Sequence, residues 1–390
     1  MQEDKSRIES LDSLRGIAAV TVICSHINKD YFHFGDTTPL ANTMLHVFYD
    51  GEAAVVFFFV LSGFVLSYKY LKDGADDFKN FKFGHFLISR IFRLYPMFWV
   101  VLVLTAITGT QIYHGYKTIP ERVWTIWWWG NTFSWKGFLM QLSLLYEQPF
   151  FVNIFGGDCG DKYVPQAWSL QIELILSLIV PFMVLLVKWR PLWLIIFVML
   201  VLLFFSPPSF IMHFGMGVLL ANFLPQVRQF ISARGKAAKF ILLFVGLFLY
   251  SYRYSVAPYF GTASVLQNIL FSANSILFMV GLGSVIIIIC AMYSHRLRKI
   301  LNVPLMRIIG KSSYGIYLCH TIILVIFTPM AIYYLNCYGI TNTPFILTFA
   351  VVFTTAFSIL IAYILHHLIE LPFIRLGKLL VAKTAMRPQI

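Results

Sequence analysis

The chain has 390 residues, of which 59% are hydrophobic, 17% aromatic and only 12% charged, with a formal net charge of +13. Soluble globular chains carry about 25% charged residues, so this composition excludes a disordered chain, a coiled coil and an ordinary soluble enzyme. Charge-free apolar runs that approach or reach the ~20 residues needed to span a bilayer mark an all-α polytopic membrane protein instead.

Ten membrane helices are predicted, over 11–29, 52–71, 93–112, 168–187, 191–206, 208–224, 239–254, 266–292, 312–335 and 344–367. The polar, mixed-charge start MQEDKSRIESLDSLRG does not read as a cleavable signal peptide. Between the third and fourth spans, the segment 113–167 carries WTIWWWGNTFSWKGF, an aromatic run suited to the membrane interface. No internal repeat and no separate soluble domain is visible. The reading is therefore one integral-membrane domain over 1–390, closed by a cytoplasmic tail at 368–390. Five cysteines without CxxC or Cys/His ligand spacing give neither a disulfide scaffold nor a metal site. Cys159 and Cys337 are the two expected in outward loops, where either a disulfide or two unpaired thiols fits.

Basic residues orient this topology. With the N-terminus inside, only Lys29, Lys117, Arg122, Lys136, Lys162 and Arg253 fall outside, leaving 24 of the 30 Lys and Arg on the cytoplasmic side. Lys and Arg resist translocation whereas acids do not, so both termini are expected in the cytoplasm. The net positive charge is then an orientation signal, and nucleic acid is not expected as a partner.

Ionisable groups inside a span are costly and are functional candidates by default. In the first helix Arg15 and His26 are eleven residues apart, almost three full turns, so they share a face with ~16 Å of rise between them. A snorkelling arginine with a headgroup-level histidine is the plainer alternative. In the second helix, Ser62 and Gly63 permit close backbone approach, which commonly serves helix packing. At the start of the third, Arg90 and Arg93 stand one turn apart as a forked site suited to phosphate; positive-inside anchoring alone also supplies such residues. Ser169 and Glu173, four apart at the start of the fourth helix, share a face, and Glu173 is expected at the depth of His26. Tyr314, Tyr317 and His320 recur at three-residue steps, with His320 deep in the bilayer and at a different depth from His26. No GxSxG, GxGxxG, Walker loop or HExxH is present.

Seven segments in order, IESLDSLRGIAAVTVICSH, AVVFFFVLSGFVL, SRIFRLYP, AWSLQIELILSLIVP, MHFGMGVLLANF, IGKSSYGIYLCHTI and IELPF, resemble acyltransferase family 3, the integral-membrane O-acyltransferases. The resemblance implies about ten spans, a cytoplasmic acyl-CoA donor (usually acetyl-CoA) and an acceptor hydroxyl, usually on a sugar. Arg15 and His26 match the family's Arg-x10-His element, with His26 as the catalytic histidine. Arg90 and Arg93 match its Arg-x-x-Arg element for the donor, while Trp168, Ser169 and Glu173 match its WSL-x-x-E segment. Two departures are Gln171 and Ile172 before Glu173, and Cys319 where tryptophan is frequent. A hydrolase-like periplasmic domain, fused to some members, is not expected here.

The resemblance thus implies acyl transfer across the membrane. Arg15, Arg90 and Arg93 would bind the donor phosphates, and His26 would act as general base or acyl carrier with Glu173 orienting it. Ser62, Trp168, Ser169, Tyr314 and His320 are the supporting residues. Expected partners are acyl-CoA as co-substrate, a glycan or lipid-linked sugar of a bacterial surface polysaccharide, and lipids of the inner membrane. No permanently bound cofactor and no metal is expected. The rivals are a transporter or flippase for a glycan or small solute, a receptor or scaffold, and an acyltransferase for hydroxylated secondary metabolites. The sequence does not set the oligomeric state.

Overall fold

The computed structural model describes residues 2–28, 42–72, 81–111, 133–146, 162–204, 210–256 and 272–385, and every regular element among them is helical. In chain order those of seven residues or more are α1 (Gln2–Ile27), α2 (Gly51–Leu71), α3 (Phe83–Gln111), α4 (Trp135–Leu142), α5 (Ala167–Trp189) and α6 (Pro191–Phe204). There follow α7 (Ile211–Asn222), α8 (Leu224–Ser232), α9 (Lys236–Tyr250), α10 (Ala273–Tyr293), α11 (His295–Leu301) and α12 (Pro304–Lys311). The last are α13 (Ser313–Ile322), α14 (Thr328–Cys337), α15 (Thr343–Leu365) and α16 (Leu371–Ala385). A π turn joins α13 to α14, and another joins α15 to α16.

The starts of these helices follow from local chemistry. Asp50 accepts from the Ala53 amide at 2.9 Å, satisfying one of the orphan donors that begin α2. Ser134, Ser272 and Asn342 do the same for α4, α10 and α15. Pro191 at the first position of α6 separates it from α5. Pro96 and Pro181 sit inside α3 and α5, a placement that membrane helices tolerate.

Among the described residues, six helices are long and apolar enough to cross a membrane: Gly51–Leu71, Phe83–Thr108, Ala167–Trp189, Ala273–Tyr293, Ser313–Cys337 and Pro344–Lys383. Three other expected spans form α6, α7 and α9, of 14, 12 and 15 residues. These are shorter than the ~20 that a straight crossing needs. The remaining expected span is the second half of α1.

Two boundaries correct the sequence reading. The third span begins at Phe83, ten residues earlier than expected, so Arg90 and Arg93 lie in the third turn of α3 rather than at its start. The segment read as a tail continues α15 as helix through to Ala385. Its basic residues Arg375, Lys378 and Lys383 leave an apolar side, and Gly377 packs there against Phe92 of α3, where an added Cβ would come within 2.8 Å. At 1.5 Å per residue, Pro344–Lys383 runs about 60 Å, twice the ~30 Å hydrocarbon core, so one end must project beyond it.

The described residues group into two compact units interleaved in sequence: Met1–Ser25, Phe34–Phe81 and Ile172–Lys311 form the first, and His26–His33, Lys82–Gln171 and Ser312–Ile390 the second. The first is held by backbone-to-backbone crossings. A Cβ on Gly63 would strike the Phe214 carbonyl oxygen, and one on Gly217 the Val60 carbonyl oxygen, so α2 and α7 approach as only small residues permit. The packing role read for Gly63 is what the structure shows. In the second unit α13 packs on α15 and α3 on α16. Its second π turn buries His366, whose Nδ1 donates to Glu370 Oε2 at 2.7 Å.

Candidate active site

His26 is half-buried in the last turn of α1, and its ring lies on that of His320. The centroids are 5.2 Å apart and the planes 18° from parallel. The two histidines therefore belong to one site, which corrects the expectation that they stand at different depths. Counting residues from an assumed helix start had fixed the depth of His320, and such counting cannot see which residue a neighbouring helix offers at that level.

A buried hydrogen-bond chain sets the orientation of His320, which is 0% exposed. Its Nδ1 lies 2.7 Å from the Tyr317 carbonyl oxygen. A carbonyl can only accept, so Nδ1 carries the proton and Nε2 is left with its lone pair. That Nε2 finds no hydrogen-bond partner among the described residues. The Tyr317 hydroxyl meets Ser169 Oγ at 2.7 Å and donates toward the Gln166 carbonyl at 3.3 Å. Gln166 in turn donates from Nε2 to the Leu318 carbonyl at 2.6 Å and to Thr321 Oγ1 at 2.9 Å. Thr321 Oγ1 lies 3.1 Å from Gln166 Oε1. The start of α5 is thus pinned to α13 around His320, with Trp168 half-buried beside Ser169.

Gln166 and Thr321 were not singled out from the sequence. A lone polar residue before an apolar helix signals little, and only the fold shows that the two amide ends of Gln166 bridge to α13. Tyr314 stands apart from this chain: its hydroxyl donates to the Leu94 carbonyl at 2.6 Å, fixing α13 to the turn of α3 that follows Arg90 and Arg93. Arg90 is 6% exposed and Arg93 half-buried.

The remaining candidates lie in the first unit. Glu173 Oε1 accepts from the buried Ser62 hydroxyl at 3.4 Å, a long bond. Arg15 pairs with Asp12 at 3.6 Å, one turn earlier on α1, and lines a cavity together with Lys69, Lys72 and Arg228. Close crossing of α1 and α12 fixes its place, since a Cβ on Gly16 would lie 2.7 Å from the Gly310 nitrogen. Cys337 is exposed at the end of α14, while Cys159 and most of the aromatic run lie outside the described residues.

A stacked histidine pair with one proton fixed can hold and move a proton. Comparisons with known proteins bear on the family of the chain. Peptidoglycan O-acetyltransferase OatA of Listeria monocytogenes is 27% identical over 340 residues, 83% of this chain and 50% of that protein. The O-acetyltransferase PaAT-1 of Phomopsis amygdali is 26% identical over 190 residues, 42% of this chain and 37% of that protein. Acyltransferase MdmB of Streptomyces mycarofaciens is 32% identical over 102 residues, 26% of this chain and 24% of that protein. The matched region spans half or less of each relative's length. No solved structure matches. The model of the acyltransferase domain of family 3 matches residues 8–363, and the chain belongs to that family.

Proposed function

We propose that the chain is a membrane O-acyltransferase that moves an acyl group, acetyl in the first instance, from cytoplasmic acyl-CoA to a sugar hydroxyl. The acceptor is a cell-surface polysaccharide or its lipid-linked precursor. The observation that carries this reading is the stack of His26 on the buried His320. The family match supports it, as do relatives named as O-acetyltransferases, one of them acting on peptidoglycan.

In this mechanism His26 is the general base. As the acceptor oxygen forms its bond to the thioester carbonyl carbon, its proton passes to the His26 imidazole. The C–S bond then breaks and the thiolate takes up a proton. His26 becomes an imidazolium in the transition state, and the neutral ring of His320 lies within the ~6 Å at which an aromatic face attracts a cation. The bond to the Tyr317 carbonyl keeps His320 in one tautomer and one plane. Arg15, Arg90 and Arg93 serve the donor phosphates in this reading. Glu173, held by Ser62, is the carboxylate assigned to orienting the base, and Glu173→Gln tests that assignment.

Mass spectrometry of surface glycans from cells with and without the protein tests the function directly. An acyl mass increment that depends on the protein and disappears in His26→Ala is the expected result. Solute uptake without acylation would overturn the reading. Orientation is tested separately. With both termini in the cytoplasm, Gly235→Cys should be shielded from an impermeant thiol reagent in intact cells, and Asp36→Cys should react.

A further inference from the structure

We infer that α11 and α12 form a docking surface for anionic phospholipid, its headgroup phosphates meeting Arg296, Lys299 and Lys311 and its acyl chains meeting Ile300, Leu305 and Ile308. The inference stands on the membrane-spanning helices and needs no acyl-transfer step. Segment 294–312, SHRLRKILNVPLMRIIGKS, joins two helices long enough to cross the bilayer, Ala273–Tyr293 and Ser313–Cys337. A connector this short stays at the membrane face where the first of them ends. It carries Arg296, Arg298, Lys299, Arg307 and Lys311 and not one acid.

Each of the two helices divides into three sides, since successive residues turn by about 100°. On α12, Ile309 and Gly310 are buried, while Leu305 is 57% and Ile308 39% exposed. Arg307 and Lys311, one turn apart, take the side opposite Leu305. On α11, Leu301 is buried, Ile300 is 63% exposed, and His295, Arg296 and Lys299 share the exposed basic side. In both helices the exposed apolar edge stands between the buried side and the basic side. A helix lying in the interface has this order, because hydrocarbon is below it and headgroups are beside it.

Two simpler uses of the same residues fall short. Positive-inside bias accounts for basic residues on a connector, but not for the isoleucine and leucine left exposed next to them. Pairing within the protein accounts for Arg307, which meets Glu9 of α1 at 3.7 Å. Among the described residues, no acid pairs with Arg296, Lys299 or Lys311. A lipid satisfies both features, since each basic residue near an anionic surface is worth about fivefold in affinity and the apolar edge leaves water. A soluble phosphate would use the cations and leave that edge wet. The surface is also tied to α1, because a Cβ on Gly310 would lie 2.5 Å from the Asp12 carbonyl carbon. Lipid held on α12 therefore fixes the first half of α1 at the membrane face.

Native mass spectrometry of the full chain in neutral detergent, titrated with phosphatidylglycerol or with phosphatidylcholine, tests this. The wild type should bind its first phosphatidylglycerol about tenfold more tightly than phosphatidylcholine. Arg296→Gln with Lys299→Gln and Lys311→Gln should abolish that preference and leave phosphatidylcholine binding unchanged, which also reports a folded protein. The charge-keeping set Arg296→Lys, Lys299→Arg and Lys311→Arg should retain it. Ile300→Asn with Leu305→Asn should weaken both lipids, because the apolar edge meets chains common to the two. A charge-matched set around the start of α9, Arg234→Gln with Lys236→Gln and Lys239→Gln, should leave the preference within about twofold. Unchanged preference in the α11–α12 triple variant would overturn the inference. An equal loss in the α9 set would overturn it too, reducing the preference to net charge. Glycerol 3-phosphate displacing phosphatidylglycerol at equal concentration would overturn it in favour of a soluble phosphate.

Discussion

Arg15 and His26 stand eleven residues apart on one helix, in opposite surroundings. Around Arg15 in the first unit, the polar groups are full charges at an open cavity, held in place by helices that cross at glycine. Beside His26 in the second, a chain of hydroxyl, amide and imidazole groups fixes the stacked His320 in the core. The contrast follows from solvation. A cation left at a wet mouth costs little and attracts a polyanion from outside. A fixed charge deep in the bilayer costs several kcal/mol, whereas neutral imidazoles do not carry that penalty until a proton is moved.

The largest expected effect is on the chemical step. His26→Ala should lower kcat by about 10²–10⁴-fold, the range of a general base, while CoA binding in nanodiscs stays at the wild-type level. A loss of CoA binding as large as the loss in kcat would break the division between the two regions. Next comes the packing of the first unit. Gly217→Ala drives a methyl group into the Val60 carbonyl and should destabilise the protein on the order of 3 kcal/mol, read as a lowered Tm in detergent. Gly235→Ala, where a Cβ meets nothing within 4 Å, should change it by less than about 0.5 kcal/mol.

Much of this contrast was legible in the sequence, for reasons that differ by residue. Apolar runs and the small pair Ser62–Gly63 declared α2 and its close crossing, because a small residue within aromatic sequence has few other uses. Arg15 and His26 declared themselves as ionisable groups on one face of an apolar helix. What stayed hidden depended on partners far along the chain. Lys69 and Lys72 read as positive-inside anchors, since nothing local says that Arg15 and Arg228 share their cavity. The helix from Leu371 to Ala385 read as a tail because its basic residues masked an apolar side that α3 covers. His320 is placed at a different depth from His26 when depth is counted along one helix, while the contact is made between two.

That correction makes His320 the next place to press. If its ring supports the His26 imidazolium, His320→Ala should lower kcat about 10- to 30-fold without changing the KM for acyl-CoA. His320→Phe keeps an aromatic face and should recover part of the loss. It should also shift the acid limb of the kcat–pH profile less than the alanine change does. Equal activity of the two variants would show that the His320 imidazole acts by its nitrogen rather than by its face.

The smallest effect should come from Ser169, which touches His320 only through Tyr317. Removing its hydroxyl breaks the 2.7 Å contact with the Tyr317 hydroxyl and the 3.1 Å contact with the Gln166 carbonyl. It orphans nothing, because Tyr317 keeps the Gln166 carbonyl as acceptor. The cost is then that of one satisfied hydrogen bond, about 1 kcal/mol, and Ser169→Ala should lower kcat about fivefold. Tyr317→Phe should cost about as much, and the double variant little more than either, since both changes delete the same contact. Additive losses would mean that each hydroxyl acts on a different partner. A Ser169→Ala loss as deep as that of His26→Ala would place the serine at the reacting atoms, and the second unit would then hold two groups acting on substrate.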